Sequence, residues 1–193
     1  MNAGGRYSGR HDVPLSPRGV TQAEATARRV AAHAPVAAVV TSPLSRCTAT
    51  ARLLSAALSG APVVIEPDLI ECDFGEWEGL TFAEVRSRWP AELEAWLAST
   101  SAAPPGGESF VDVAARTERA VASIRSRHPE ATVAVVSHVS PIKLLLRDAL
   151  AATDDFLHRL YLDPCGVSIV DYWADGGVAV RTVNESGHLD SGP

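Results

Sequence analysis

The sequence predicts an α/β protein of three layers, α/β/α, with a mostly parallel sheet covered by helices on both faces. Three observations carry this. Val133–Val136 is a continuous apolar run that leads straight into Ser137-His138, and such a run reads as a strand buried on both faces, the habit of parallel sheets. Strand-like segments alternate with helical patterns along most of the chain, the mark of helices packed over a parallel sheet. Near the C-terminus Val167–Tyr172 and Val178–Val183 flank Ala174-Asp175-Gly176-Gly177, a hairpin signal that adds antiparallel pairing at a sheet edge.

The elements follow in order. Ser16-Pro17 supplies an N-cap and a proline at the first helical position, and Val20, Ala23, Ala27, Val30 and Ala31 then mark one helix face. Val36–Thr41 reads as a short buried strand, Leu44–Leu58 as a helix ended by Gly60, and Val63–Ile65 as a second strand. Phe82–Trp89 and Ala91–Leu97 read as short helices separated by Pro90. Ser109-Phe110-Val111-Asp112 opens a helix as a capping box, with Val113, Thr117, Ala120, Val121 and Ile124 on one side. After Val133–Val136 come a helix from Pro141, a polar helix around Asp154–Leu160 and the hairpin. Ser99–Gly107 is a loop inside one domain spanning residues 1–193.

Composition narrows the function classes. The 193 residues suffice for one sizeable core. A net charge of −6 disfavours nucleic acid as a partner, so an anionic ligand needs a local basic pocket. No apolar run is long enough to cross a bilayer, and the segment after Met1 has no apolar signal core, so the cytoplasm is the expected compartment. Cys47, Cys72 and Cys165 are odd in number and widely spaced, which suits a reducing compartment and argues against a disulfide framework and a zinc site.

Three clusters carry residue types suited to phosphate. In Thr41–Ala51 a strand runs into a helix whose first turn holds Arg46. Free N–H groups and an arginine fork there suit a phosphate, although a capped helix with a surface arginine has the same pattern. Leu69–Leu80 interleaves Glu71, Asp73, Glu76 and Glu78 with Phe74, Trp77 and glycines. A carboxyl held against apolar surface can serve as a general acid, a solvated acidic turn is the alternative, and nothing local selects one of the four. His138 ends its strand where α/β proteins bind ligands, and it reads either as a catalytic or phosphate-binding group or as a structural histidine.

Taken in order, these clusters resemble the histidine phosphatase superfamily, also called phosphoglycerate-mutase-like. Gly9–Ala23 is similar to that family's first loop and helix, Ser42–Ala51 to its arginine motif, and Glu71–Gly79 to its acid motif; Pro105–Ser109 and Val136–His138 complete the series. The wording of Val136–Lys143 and of Val183–Leu189 most resembles the acid-phosphatase half of bacterial bifunctional ribonuclease H/acid phosphatase proteins, itself similar to α-ribazole phosphatase. The resemblance implies a phosphoglycerate-mutase-like fold and hydrolysis of a small phosphorylated substrate without a metal or other cofactor. It implies that Arg46 grips the phosphoryl oxygens, His138 binds the phosphoryl group, Glu71 protonates the leaving alcohol, and Ser8 and Gly9 line the pocket. Val139 stands where the family usually has glycine, a change shared by the narrower subgroup.

One departure stands out. The family's nucleophile is the histidine of an Arg-His-Gly triplet ending an interior first strand, and this sequence has no such triplet. The family pattern continues Arg-His-Gly-x-Thr-x-x-Asn, and Asn2 fits its last position, as part of the substrate site. The resemblance therefore implies that the first strand and the nucleophile lie just upstream of Met1, with the start assigned too late, and that the chain as given is inactive. The alternatives are a shortened pseudo-phosphatase that holds a phosphorylated ligand without turnover, and phosphoglycerate-mutase-type phosphotransfer. A ribonuclease H domain could also be fused ahead of this one, as in the bifunctional relatives.

Overall fold

The computed structural model describes residues 5–33 and 35–189. Three strands form a parallel sheet in the order β2 (Val63–Ile65), β1 (Ala38–Thr41), β3 (Val133–Val136). The central β1 is wholly buried, and its alternating side chains serve two layers. Val39, with Ala134 and Val136 of β3, packs under α1 (Pro17–Ala31) and α2 (Ser45–Ala57) through Ala27, Ala51 and Leu54. Val40, with Val64 and Val133, packs on the opposite face against Ala120 and Ile124 of α5 (Phe110–Arg127). The three-layer α/β/α architecture follows from this period-two division of β1.

The caps form as the sequence indicates. The Ser16 hydroxyl accepts from the Gly19 N–H at 3.1 Å, and Ser109 and Asp112 make a reciprocal capping box. Pro90 does not separate the two short helices; Trp89 does, and Pro90 is the first residue of α4 (Pro90–Ala98), after α3 (Phe82–Arg88). A missing N–H costs nothing at that position. The polar helix shrinks to α7 (Phe156–Arg159), and α6 (Val139–Ala149) begins two residues before Pro141. A second core joins the first loop to α3, α4, α5 and α6. Trp77 is its centre, with ring centroids of Tyr7 and Trp96 at 5.9 and 5.7 Å.

Two sequence expectations need correction. β3 is not buried on both faces: Val135 is 38% exposed, and among the described residues no strand pairs with the outer edge of β3. The apolar run reports what β3 is built to meet, while its actual burial depends on a neighbour on that side. Nor does the hairpin of β4 (Val167–Tyr172) and β5 (Val178–Glu185) extend the sheet's edge. It forms a separate two-stranded antiparallel sheet, joined to the body by contacts such as the Arg29–Glu185 ion pair at 3.0 Å.

Candidate active site

Parallel register brings the site together. Thr41 of β1 lies opposite Val136 of β3, so the two strands end level and the helices that follow them, α2 and α6, start side by side. The Ser42 N–H donates to the Val136 carbonyl at 2.9 Å. Just beyond the strand ends, one residue past β1 and two past β3, the Ser42 hydroxyl meets His138 Nε2 at 2.7 Å. An arginine in the first turn of α2 thus meets the histidine that precedes α6.

His138 is 7% exposed. Arg46 Nε, which can only donate, points at His138 Nδ1 at 3.3 Å. The ring proton therefore belongs on Nε2, where Ser42 Oγ accepts it. Burial first, and then the charges of Arg46 and Arg116, push the imidazole pKa down to about 3. His138 is a neutral donor here across the ordinary pH range. Cys47 Sγ lies 3.4 Å from the same Nε2, but burial drives its thiol up to about 12. It is no thiolate nucleophile.

The first loop closes over Arg46. The guanidinium donates to the Gly9 carbonyl at 2.9 Å and to the His11 carbonyl at 2.8 Å. Asp12 accepts from the Ser45 N–H at 2.7 Å, tying the loop to the start of α2. Glu78 fixes the loop from behind, accepting from the N–H groups of Arg10 at 2.7 Å and His11 at 3.2 Å. Gly9 has a φ of +46°, and a side chain there would run into the Glu78 carboxylate, so this turn requires glycine.

Glu71 enters from the loop after β2 and is 7% exposed. Its Oε1 accepts from the N–H of Cys72 at 2.7 Å and of Ser140, in the first turn of α6, at 3.2 Å. Burial raises its proton affinity, and those two N–H groups only partly oppose the rise. Glu71 is thereby built to carry a proton above the ordinary carboxylate range.

The structure thus brings together Arg46, His138, Glu71, Gly9 and, at the start of α6, Val139. Ser8 is half-buried in the same loop, its carbonyl accepting from the His11 N–H at 3.2 Å. Asn2 lies outside the described residues. Of the four acids, only Glu71 and Glu78 turn inward to the site. Asp73 pairs with Arg10 at 3.4 Å and Glu76 is exposed.

Sequence reasoning named Glu78 only as one of four undistinguished acids and gave no role to Ser42, Glu108 or Arg116. Arg116 had a signal: it interrupts the apolar face of α5 at helical spacing from Val113 and Ala120. Among the described residues no group of three or more His, Cys, Asp or Glu is disposed to hold a metal ion, and no helix is long and apolar enough to cross a membrane.

Residues 1–185 match the description of the histidine phosphatase superfamily (branch 1). The bifunctional protein Rv2228c of Mycobacterium tuberculosis is 49% identical over 184 residues, covering 95% of this chain and 50% of that protein. The chain thus spans about half the length of curated relatives it matches. The mycobacterial glucosyl-3-phosphoglycerate phosphatase Rv2419c, solved with VO3, is similar with a TM-score of 0.86 and 30% identity over 96% of this chain and 93% of its own. The α-ribazole phosphatase of Shigella flexneri is similar with a TM-score of 0.83 and 27% identity, over 96% of this chain and 91% of its own.

Proposed function

Because the chain belongs to the histidine phosphatase superfamily (branch 1), we propose that it is the core of a metal-independent phosphomonoesterase that works through a phosphohistidine on a small phosphorylated substrate. The observation that carries this reading is the convergence of Arg46, a neutral His138 and a buried, proton-holding Glu71 at one sheet end. Arg46 and the Nε2–H of His138 stabilise the charge on the equatorial oxygens of the transferring phosphoryl group. Both must exchange a protein acceptor for the phosphoryl oxygens, His11 or Gly9 for Arg46 and Ser42 for His138. The nucleophilic nitrogen forms the P–N bond as the P–O bond breaks. The leaving oxygen takes the electron pair and the proton of Glu71. Glu71 then removes a proton from the water that attacks phosphorus; the P–N bond breaks, its electron pair returns to the nitrogen, and inorganic phosphate leaves.

The nucleophile belongs, in this reading, to a parallel strand beside the outer edge of β3, which no strand of the described residues pairs with. A strand added there runs in the same direction as β3 and ends next to His138. It also pairs the open edge of β3 beside the exposed Val135. We place that strand upstream of Met1, running into the segment that contains Asn2. A ribonuclease H domain fused further upstream, as the resemblance implies, belongs to the same proposal. So does a cytoplasmic location, supported by the free Cys47, Cys72 and Cys165.

The second reading, a phosphate binder without turnover, is favoured by the absence of an Arg-His-Gly triplet from the sequence. One experiment separates them. The upstream-extended protein is expected to hydrolyse 4-nitrophenyl phosphate in excess EDTA and to lose this activity in His138→Ala. Full activity in that variant overturns the assignment of His138. An extended protein that is stabilised by phosphate but never hydrolyses the ester supports the binder.

A further inference from the structure

Arg116 is a charge placed on the apolar face of α5, and it is 6% exposed. A buried guanidinium is tolerated only with a counter-charge and with its five N–H donors satisfied. All five are engaged. Nε and one Nη2 hydrogen reach the Glu108 carboxylate, each at 3.2 Å. Nη1 donates to the carbonyls of Asp68 at 2.8 Å and Ile70 at 2.5 Å, and Nη2 to the carbonyl of Glu71 at 3.0 Å. Glu108 continues the grip along the chain. Its carboxylate accepts from the Asp73 N–H at 3.1 Å, and its own N–H donates to the Asp73 carbonyl at 2.9 Å. Three of these contacts read the backbone of the loop that carries Glu71, and the rest lock its next turn. The Glu71 carboxyl at the end of that trace is what meets the N–H of Ser140.

We infer that Arg116, held by Glu108, is a positioning residue that sets the Glu71 carboxyl at the leaving oxygen and so determines how poor a leaving group the site can expel. The inference rests on the phosphatase reading above. When the P–O bond breaks, 4-nitrophenolate departs with the electron pair and needs no proton. An alkoxide is too basic to leave that way and must take the proton of Glu71 as it departs. Displacing Glu71 by a fraction of an ångström therefore penalises alkyl esters and spares the activated aryl ester. Lysine cannot replace Arg116, because a single ammonium lacks the planar fork that spans the carbonyls of residues 68, 70 and 71 and Glu108 together.

The test compares kcat/KM for glycerol phosphate and 4-nitrophenyl phosphate in the upstream-extended protein and in Arg116→Lys, with Glu108→Gln as a second variant that keeps the guanidinium and loosens its hold. Thermal unfolding confirms that each variant is folded. The alkyl-to-aryl ratio is expected to fall at least about 10-fold in Arg116→Lys, within the range a general acid contributes, and to fall in the same direction in Glu108→Gln. A parallel loss on both esters, or an unchanged ratio, overturns the inference while leaving the phosphatase reading intact. A wild-type protein that cleaves neither ester overturns both.

Discussion

Glu78 and Glu76 stand two residues apart in one acidic motif, and the structure assigns them opposite fates. The Glu78 side chain is 9% exposed and accepts from the N–H groups of Arg10 at 2.7 Å, His11 at 3.2 Å and Phe74 at 3.4 Å. Glu76 is exposed. Glu78→Ala leaves the N–H groups of Arg10 and Phe74 without an acceptor and the His11 N–H with the Ser8 carbonyl alone. A hydrogen bond to a charged group contributes about 1.5–3 kcal/mol; the contact at 2.7 Å has that strength, the two longer ones less, and water replaces part of the loss in the open first loop. The expected cost is about 2–4 kcal/mol. For a chain of 193 residues this lowers Tm by about 5–15 °C. Glu76→Ala stays within about 0.5 kcal/mol of wild type. Differential scanning calorimetry of the two variants side by side is the assay. Equal transitions, or a Glu78→Ala Tm within about 2 °C of wild type, refute the clamp between Glu78 and the first loop.

Further predictions concern the acid and the core. Folding raises the proton affinity of Glu71, so its contribution to stability is present below the ordinary glutamate range and is lost as pH rises through its folded value. Glu71→Gln keeps an acceptor for Cys72 and Ser140 and does not ionise. Urea unfolding from about pH 4 to about pH 8 should therefore swing in favour of the glutamine variant, and a pH-independent difference contradicts the burial of an ionisable Glu71. The same variant in the extended protein should lose about 100-fold or more on alkyl esters, read from kcat/KM. Trp77 is fully buried between Tyr7 and Trp96. Trp77→Ala should cost about 3–5 kcal/mol in denaturant unfolding, and a loss below about 1 kcal/mol places that aromatic cluster outside the core.

Legibility in the sequence followed the range of the interaction. Strand ends, helix starts and caps are local, so Ser16, Ser109 and the approach to His138 are readable from neighbours in the chain. Arg46 and His138 are separated by 92 positions and meet through the parallel register of β1 and β3, which the alternation of strands and helices implies without specifying. The choice among the acids was not readable from their own motif, since four similar side chains alternate within eight residues. It is made by Arg10 and His11, nearly seventy positions away from Glu78, and by Ser140, 69 positions from Glu71. Arg116 was overlooked because an arginine on an apolar helix face reads as an interruption, whereas its partners lie across the chain at Asp68, Ile70, Glu71 and Glu108. The open edge of β3 shows the converse limit. Its apolar composition reads as burial on both faces, yet Val135 is left exposed where no strand of the described residues lies beside it.

The central claim, that Arg46, His138 and Glu71 serve a phosphohistidine phosphatase, is tested most directly by rapid-quench labelling of the upstream-extended protein with a 32P-labelled aryl phosphate in EDTA. The account predicts a transient phosphoenzyme that is stable to alkali and labile to acid, as a phosphoramidate is, and that fails to accumulate in His138→Ala. Turnover with no covalent label, or a label that survives acid and marks a phosphate ester, would contradict it.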